Sequence, residues 1–242
     1  MSNNLISHVL QYAGILIEAC LVIYVARSPR RGRLAGVSLY LSCLLGTELG
    51  RGLALSTYGW RSPQYSYVYW TTDFLLVIAA FLLVCHFFRR ACLSKDKLWR
   101  FVRLLLCFTF ILVAGISGVS FVSHYGGLSL PYVTEFSQDL YFTCLVLNTL
   151  LYLMLQQIGS IDDQLGLLVC GVGIQFAGPA ATMALYHLTT GQRFSASLTS
   201  YMLPVCTLGM LVVWAYALIH VSDRVNKVTP RRNRVLAEVT AD

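Results

Sequence analysis

Apolar residues gather into seven long blocks along the chain, separated by short polar stretches or by stretches rich in glycine and proline. Read as helices, the blocks cover about Ser7 to Ala26, Leu34 to Thr57, Tyr65 to Phe88, Phe101 to Ser123, Phe136 to Ile158, Gln164 to Leu188 and Leu198 to Val221. Each block is roughly 20 residues or more, enough for a helix to cross a hydrocarbon core of about 30 Å. The pattern predicts an all-α polytopic membrane protein, with seven transmembrane helices in residues 1–221 and a basic tail over 222–242. A short turn from Tyr58 to Pro63 separates the second and third blocks. The stretch His124 to Glu135 holds Gly126, Gly127 and Pro131 and reads as a loop.

Composition agrees with this pattern. The chain is 57% hydrophobic and 12% charged, against about 25% charged residues in a soluble domain. The net charge of +7 would raise the question of nucleic acid in a soluble protein. Here the basic residues sit in short loops, where the topology rule for membrane proteins accounts for them. Arg27, Arg30, Arg31 and Arg33 follow the first block, and Arg89, Arg90, Lys95, Lys97 and Arg100 follow the third. The tail carries Arg224, Lys227, Arg231, Arg232 and Arg234, whereas the opposite face has Arg61 and Arg193. This asymmetry predicts the N-terminus outside and the C-terminus inside. The first block lacks the basic n-region of a signal peptide and reads as a first membrane helix. Each block carries one cysteine, Cys92 lies in a loop, and no CxxC pair occurs. No disulfide framework is implied.

Polar residues inside these blocks are costly and therefore informative. Glu48 and Arg51, at i and i+3, share a face of the second helix. Asp73 is the ninth residue of the third, about 12 Å below its outer end at 1.5 Å per residue. The three lie at similar depth on consecutive antiparallel helices. A lone ionised group at the bilayer centre costs about 2.5–3.5 kcal/mol, so they are expected to face one another, with Arg51 bridging both carboxylates. Tyr65, Tyr69 and Asp73 follow i, i+4, i+8 on one helical face. With Tyr58, Trp60, Tyr67 and Trp70 they form either an interfacial aromatic belt or the mouth of a site. Glu18 lies mid-way along the first helix with no opposite charge near it in sequence. It is read as an uncharged acid, as a partner of Asn148 or Gln175, or as facing a water-filled cavity. The candidate ligand-binding or buried polar cluster is thus Glu18, Glu48, Arg51, Tyr65, Tyr69 and Asp73. Its alternative is a purely structural clamp.

Gly46 and Gly50 form a GxxxG pair flanking Glu48, expected to pack closely against a neighbouring helix. The sixth helix reads Gly171, Gly173, Gln175, Ala177, Gly178, Pro179, which permits close approach. Pro179, and Pro204 in the seventh helix, are candidate hinges. The five histidines fall at helix ends. His86 with His220, or His124 with His187, could ligate a haem only from matched depth on facing helices. Haem and metal sites are not expected. No apolar block contains the lysine that a retinal Schiff base needs. The third and seventh helices lack the acidic-Arg-aromatic and Asn-Pro-x-x-Tyr motifs of G-protein-coupled receptors. No zinc-protease motif, GxSxG elbow or P-loop occurs, so an enzyme is not expected.

The run Tyr67-Val68-Tyr69-Trp70-Thr71-Thr72-Asp73, followed by an apolar helix ending in Arg89-Arg90, resembles uncharacterised seven-helix bacterial inner-membrane proteins. The resemblance is carried mainly by the second and third helices and implies fold and location, without an activity. The expectation is a non-enzymatic sensor, a binding module or a subunit of a membrane assembly, with a small-solute or proton-coupled transporter as the alternative. No output domain is visible in the tail, so a sensor would need a membrane or cytoplasmic protein partner. The basic tail suits either such a protein or anionic lipid, and no nucleic acid is expected.

Overall fold

Seven helices follow one another, and no strand occurs among the described residues. They are α1 (Ser2–Arg27), α2 (Arg31–Tyr58), α3 (Pro63–Ala91), α4 (Asp96–His124), α5 (Leu130–Ile158), α6 (Asp163–Leu188) and α7 (Pro204–Ile219). The computed structural model describes residues 2–28, 31–59, 62–93, 96–124, 130–158, 162–188, 202 and 204–219. Side chains of 2–9, 31, 96, 117–124, 130–135, 158, 179 and 182–188 fall outside that description. So do Trp60, Arg61 and Arg193, the tail 222–242, and the side chains of His8, His124, His187 and His220.

Local chemistry explains the boundaries. α2 ends at Gly59, whose φ of 76° suits a residue without Cβ, and its N–H closes on the Leu55 carbonyl at 3.0 Å. Ser62 then caps α3 by accepting from the Gln64 N–H at 3.1 Å, with Pro63 opening the helix. The expected loop from His124 to Glu135 is shorter than the sequence suggests, because α4 includes His124 and α5 begins at Leu130. Pro131 falls in the first turn of α5, where its missing N–H has no intrahelical acceptor to lose, so it opens a helix instead of breaking one. α6 continues through Pro179 to Leu188.

Among the described residues, four helical segments are long and apolar enough to cross a membrane: Leu10–Arg27, Pro63–Ala91, Lys97–Ile116 and Phe136–Gln157. The apolar stretches described in α6 and α7, Asp163–Gly178 and Pro204–Ile219, are shorter. α4 leaves Phe101, Leu104, Phe108 and Ile111 largely exposed, one turn apart on a single face. A face of that kind needs an apolar surrounding.

α3 is the central helix and touches α2, α4, α5 and α6. Val77, Ala80, Val84 and Phe87 on it are completely buried. α6 and α7 meet through small residues. A Cβ added at Gly171 would stand 2.6 Å from the Trp214 ring, and one at Gly178 would stand 3.0 Å from Cys206 Sγ. Trp214 is completely buried, and its indole N–H donates to the Leu168 carbonyl at 2.9 Å. The GxxxG expectation for α2 finds no support among the described residues, where a Cβ at Gly46 or Gly50 would meet nothing within 4 Å. Gly171 and Gly178 of α6, seven residues apart, each face a side chain of α7, whereas the Gly46 and Gly50 pair of α2 faces none among the described residues. All eight cysteines are free.

Candidate functional site

Arg51 is the centre of the polar group between α2 and α3. Its Nε–H donates to Thr72 Oγ1 at 2.8 Å, and Nη2 lies 3.4 Å from Asp73 Oδ1 and 3.4 Å from the Tyr69 carbonyl. The guanidinium sits over the Tyr69 ring, 4.3 Å from its centroid, a favourable cation–π placement. α3 supplies all four contacts from two adjacent turns, since Tyr69, Thr72 and Asp73 lie three and four residues apart. Thr72 Oγ1 also reaches back to the Val68 and Tyr69 carbonyls at 2.8 Å, which fixes its rotamer for Arg51. The Arg51 and Asp73 side chains are 19% and 21% exposed, so the pair is partly shielded from its surroundings.

The aromatic run divides by face. Tyr65 and Tyr69 lie one turn apart with rings tilted against each other, 6.4 Å between centroids, on the face that carries Asp73. Trp70 meets Tyr69 edge-on at 5.4 Å. Tyr67 points away and is 64% exposed. One side of the run therefore faces the Arg51 cluster, and Tyr67 on another side is exposed.

Glu48 does not join Arg51. Its Oε2 accepts from Gln11 Nε2 of α1 at 3.4 Å. The expected bridge of two carboxylates by Arg51 is thus a one-carboxylate pair, completed by a hydroxyl and a carbonyl from the same helix. Geometry decides this: α3 offers Arg51 three oxygens at one level, whereas Glu48 faces α1. Glu18 is 2% exposed and sits in the fields of Glu48 and Tyr40. Among the described residues its Oε2 has no hydrogen-bond partner, and the same holds for Asn148 Oδ1 and Gln175 Oε1. The expected bonds from Glu18 to Asn148 or Gln175 are not formed. Asn148 instead donates to the Val169 carbonyl at 3.1 Å and ties α5 to α6.

Several residues of this interior carry no signal in the linear pattern. Tyr141 of α5 lies in the fields of Asp73, Tyr40 and Arg51, and its ring packs on Phe176 at 6.2 Å. Ser137, buried on the same helix, approaches Asp73 without a well-formed hydrogen bond. Gln11 was legible in retrospect, because it lies seven residues before Glu18 on the same helical face. A groove of about 310 Å³ between α1 and α7 is lined by apolar residues such as Leu16, Leu21 and Ile219 and is separate from this cluster.

A second polar cluster lies at the other end of α3. Arg90 is 7% exposed and forks onto Asp162, with contacts of 2.8, 3.1 and 3.1 Å, and reaches Gln164 Oε1 at 3.2 Å. Asp162 also caps α6, accepting from the Leu165 N–H at 3.2 Å. Gln164 continues the link to the Ala217 carbonyl of α7 at 3.5 Å. A residue that the charge pattern assigns to a basic loop is thus a buried tie between α3, α6 and α7. Asp162 is 40% exposed, and screening trims the pair's worth. Arg90→Ala is expected to lower stability by about 1–2 kcal/mol, and Arg90→Lys to restore little, since a single ammonium cannot reproduce the fork. Denaturant titration of the reconstituted variants measures both.

His86 is occupied as well. Its Nε2 lies 3.2 Å from the Arg33 carbonyl, an acceptor, so that nitrogen carries the proton. The ring lies against Gly36, where a Cβ would stand 2.7 Å away. No group of three metal-ligating His, Cys, Asp or Glu side chains occurs among the described residues. No family model matches the chain, and neither does any curated protein or solved structure.

Proposed function

We propose that this is a multi-pass protein of a bacterial inner membrane, with seven crossing helices, the N-terminus outside and the C-terminus inside, working as a non-enzymatic sensor, binding module or assembly subunit. The observation that carries this reading is the Arg51 cluster. A cation, a carboxylate, a hydroxyl and two neighbouring tyrosines are held together where α2 ends and α3 begins, the end that the basic-loop asymmetry assigns to the outside. A partly exposed polar group with an aromatic wall suits recognition of a molecule arriving from that side.

Native mass spectrometry of the gently solubilised protein from its own membranes tests the function. A stoichiometric small mass or a stoichiometric protein partner is expected, and a bare monomer or homo-oligomer would overturn the reading. Orientation has its own test. A phosphatase inserted in the turn between α2 and α3 should be active, and a fluorescent protein fused to the C-terminus should fluoresce. The reverse pattern would invert the topology. The second reading, a small-solute or proton-coupled transporter, is favoured by one observation: Glu18, buried in the bundle with an unpartnered carboxylate oxygen. Proteoliposome transport that is unchanged by Glu18→Gln and Asp73→Asn would remove it.

A further inference from the structure

We infer that the groove between α1 and α7 seats one acyl chain of an anionic phospholipid, whose phosphate is met by Arg27. This rests on the reading of α1 as a membrane-crossing helix and is independent of the Arg51 cluster. α1 lines the groove with Leu16, Ile17, Cys20 and Tyr24, and α7 with Ala215 and Ile219. Leu16, Cys20 and Tyr24 recur every fourth residue and form one continuous strip along the helix. Ala215 and Ile219 repeat that spacing on the other wall. The lining is almost wholly apolar. Its one hydroxyl, that of Tyr24, is already spent, because it donates to the Leu218 carbonyl at 3.2 Å and ties α1 to α7. Water held there would find too few polar partners. Leu16, Tyr24 and Ile219 are exposed, so the groove opens sideways toward whatever surrounds the helices. For a helix inside a bilayer, that surrounding is hydrocarbon.

Dimensions select a single chain. Leu16 to Tyr24 covers about 12 Å at 1.5 Å per residue. Spread over that length, a volume of about 310 Å³ gives a cross-section of about 26 Å². An extended hydrocarbon chain is of that width, whereas a helix with its side chains is about 10 Å across and does not enter. Arg27 lies one turn beyond Tyr24, about 16 Å from Leu16 along the axis. One leaflet's share of a hydrocarbon core of about 30 Å is about 15 Å. A chain laid along the groove therefore brings its headgroup level with Arg27.

Charge selects the headgroup. Arg27 stands in the last turn of α1, three residues after Tyr24 and so on the same side of the helix. It is exposed and has no carboxylate within ion-pair distance among the described residues. An arginine at a helix end extends its guanidinium toward the membrane interface, where it forks onto phosphate oxygens. Basic positions beside clefts between membrane helices recognise anionic headgroups in this way. A zwitterionic lipid carries its own cation beside the phosphate, so it gains less from Arg27. Apolar cleft and unpaired cation thus match the two parts of one molecule.

The test titrates delipidated full-length protein, in a neutral detergent, with phosphatidylglycerol or with phosphatidylcholine of the same acyl chains. Native mass spectrometry counts the bound lipid. Phosphatidylglycerol is expected to bind about fivefold more tightly, the worth of one cation at the membrane surface. Arg27→Gln should abolish this preference and leave phosphatidylcholine binding unchanged. Arg103→Gln, at an exposed cation of α4 away from the groove, should keep it. Cys20→Trp places a ring in the groove from an exposed position and should weaken both lipids about tenfold. Leu16→Trp makes the same test from the other end of the strip if Cys20→Trp does not fold. Inorganic phosphate, the headgroup charge without a chain, should not displace the lipid. Equal wild-type affinities, a preference that survives Arg27→Gln, undiminished binding in the tryptophan variant, or displacement by phosphate would each overturn the inference. The Arg51 reading stands or falls separately, because a small mass that persists in Arg27→Gln protein from its own membranes is not this lipid.

Discussion

Arg51→Ala is expected to destabilise the folded protein by about 3 kcal/mol, the lower end of the range for breaking a shielded ion pair by removing one partner. Three losses combine. Asp73 is left without its cation, Thr72 Oγ1 loses the Nε–H donor, and the Tyr69 ring loses the guanidinium above it. Exposures of about a fifth on both side chains place the effect at that lower end. Arg51→Lys should recover only part of the loss, since an ammonium can meet Asp73 but cannot lie flat on Tyr69 while also reaching Thr72. The double variant Arg51→Ala with Asp73→Ala should be less damaging than Arg51→Ala alone, because no carboxylate is then stranded. Unfolding of reconstituted protein in a denaturing detergent measures all three. Wild-type stability in Arg51→Ala would show that the cluster does not hold α2 to α3.

Gly171→Ala is expected to cost a similar amount, about 3 kcal/mol, through overpacking plus a lost hydrogen bond. The new methyl group would stand 2.6 Å from Trp214 Cδ1 and 2.7 Å from Nε1. Trp214 is completely buried and has no empty space to enter. Displacing the ring breaks its bond to the Leu168 carbonyl and its edge contact with Tyr40. Gly46→Ala is the matched comparison. With nothing among the described residues within 4 Å of the added methyl, it should be neutral or stabilising by about 0.5–1 kcal/mol from helix propensity. The same unfolding assay reads both. Equal stability of the two variants would mean that α6 and α7 are not in the close contact described.

Both predictions concern features whose existence is legible in the sequence and whose consequence is not. The spacing of Tyr65, Tyr69 and Asp73 places them on one face, and the depth of Arg51 brings it level with them. The choice of Arg51 between two carboxylates is set by which helix each one faces. Glu48 lies three residues before Arg51 on the same helix, yet it bonds to Gln11 across the α1 interface. Glycine likewise recurs in both α2 and α6, and only the residue opposite each glycine gives it meaning. Arg90 is the clearest case. Its place in a basic run marks it as a topology residue, whereas the turn before α6 brings Asp162 under it and buries it.

The sequence by itself determines that the chain is helical and apolar, roughly where its helices lie, with the starts of α1, α4 and α5 five or six residues earlier than the pattern suggests, and which side chains are costly inside them. Those properties follow from local composition, periodicity and turn chemistry, which act over one or two turns. The tertiary structure alone decides which costly groups neutralise each other. Ion pairs and hydrogen bonds between helices depend on a rotation of each helix about its axis and on a sliding register, and one residue's shift changes every partner. That is why Arg51 and Asp73 meet, why Trp214 fills the space over Gly171, and why Glu18 and Glu48 stand without a cation among the described residues.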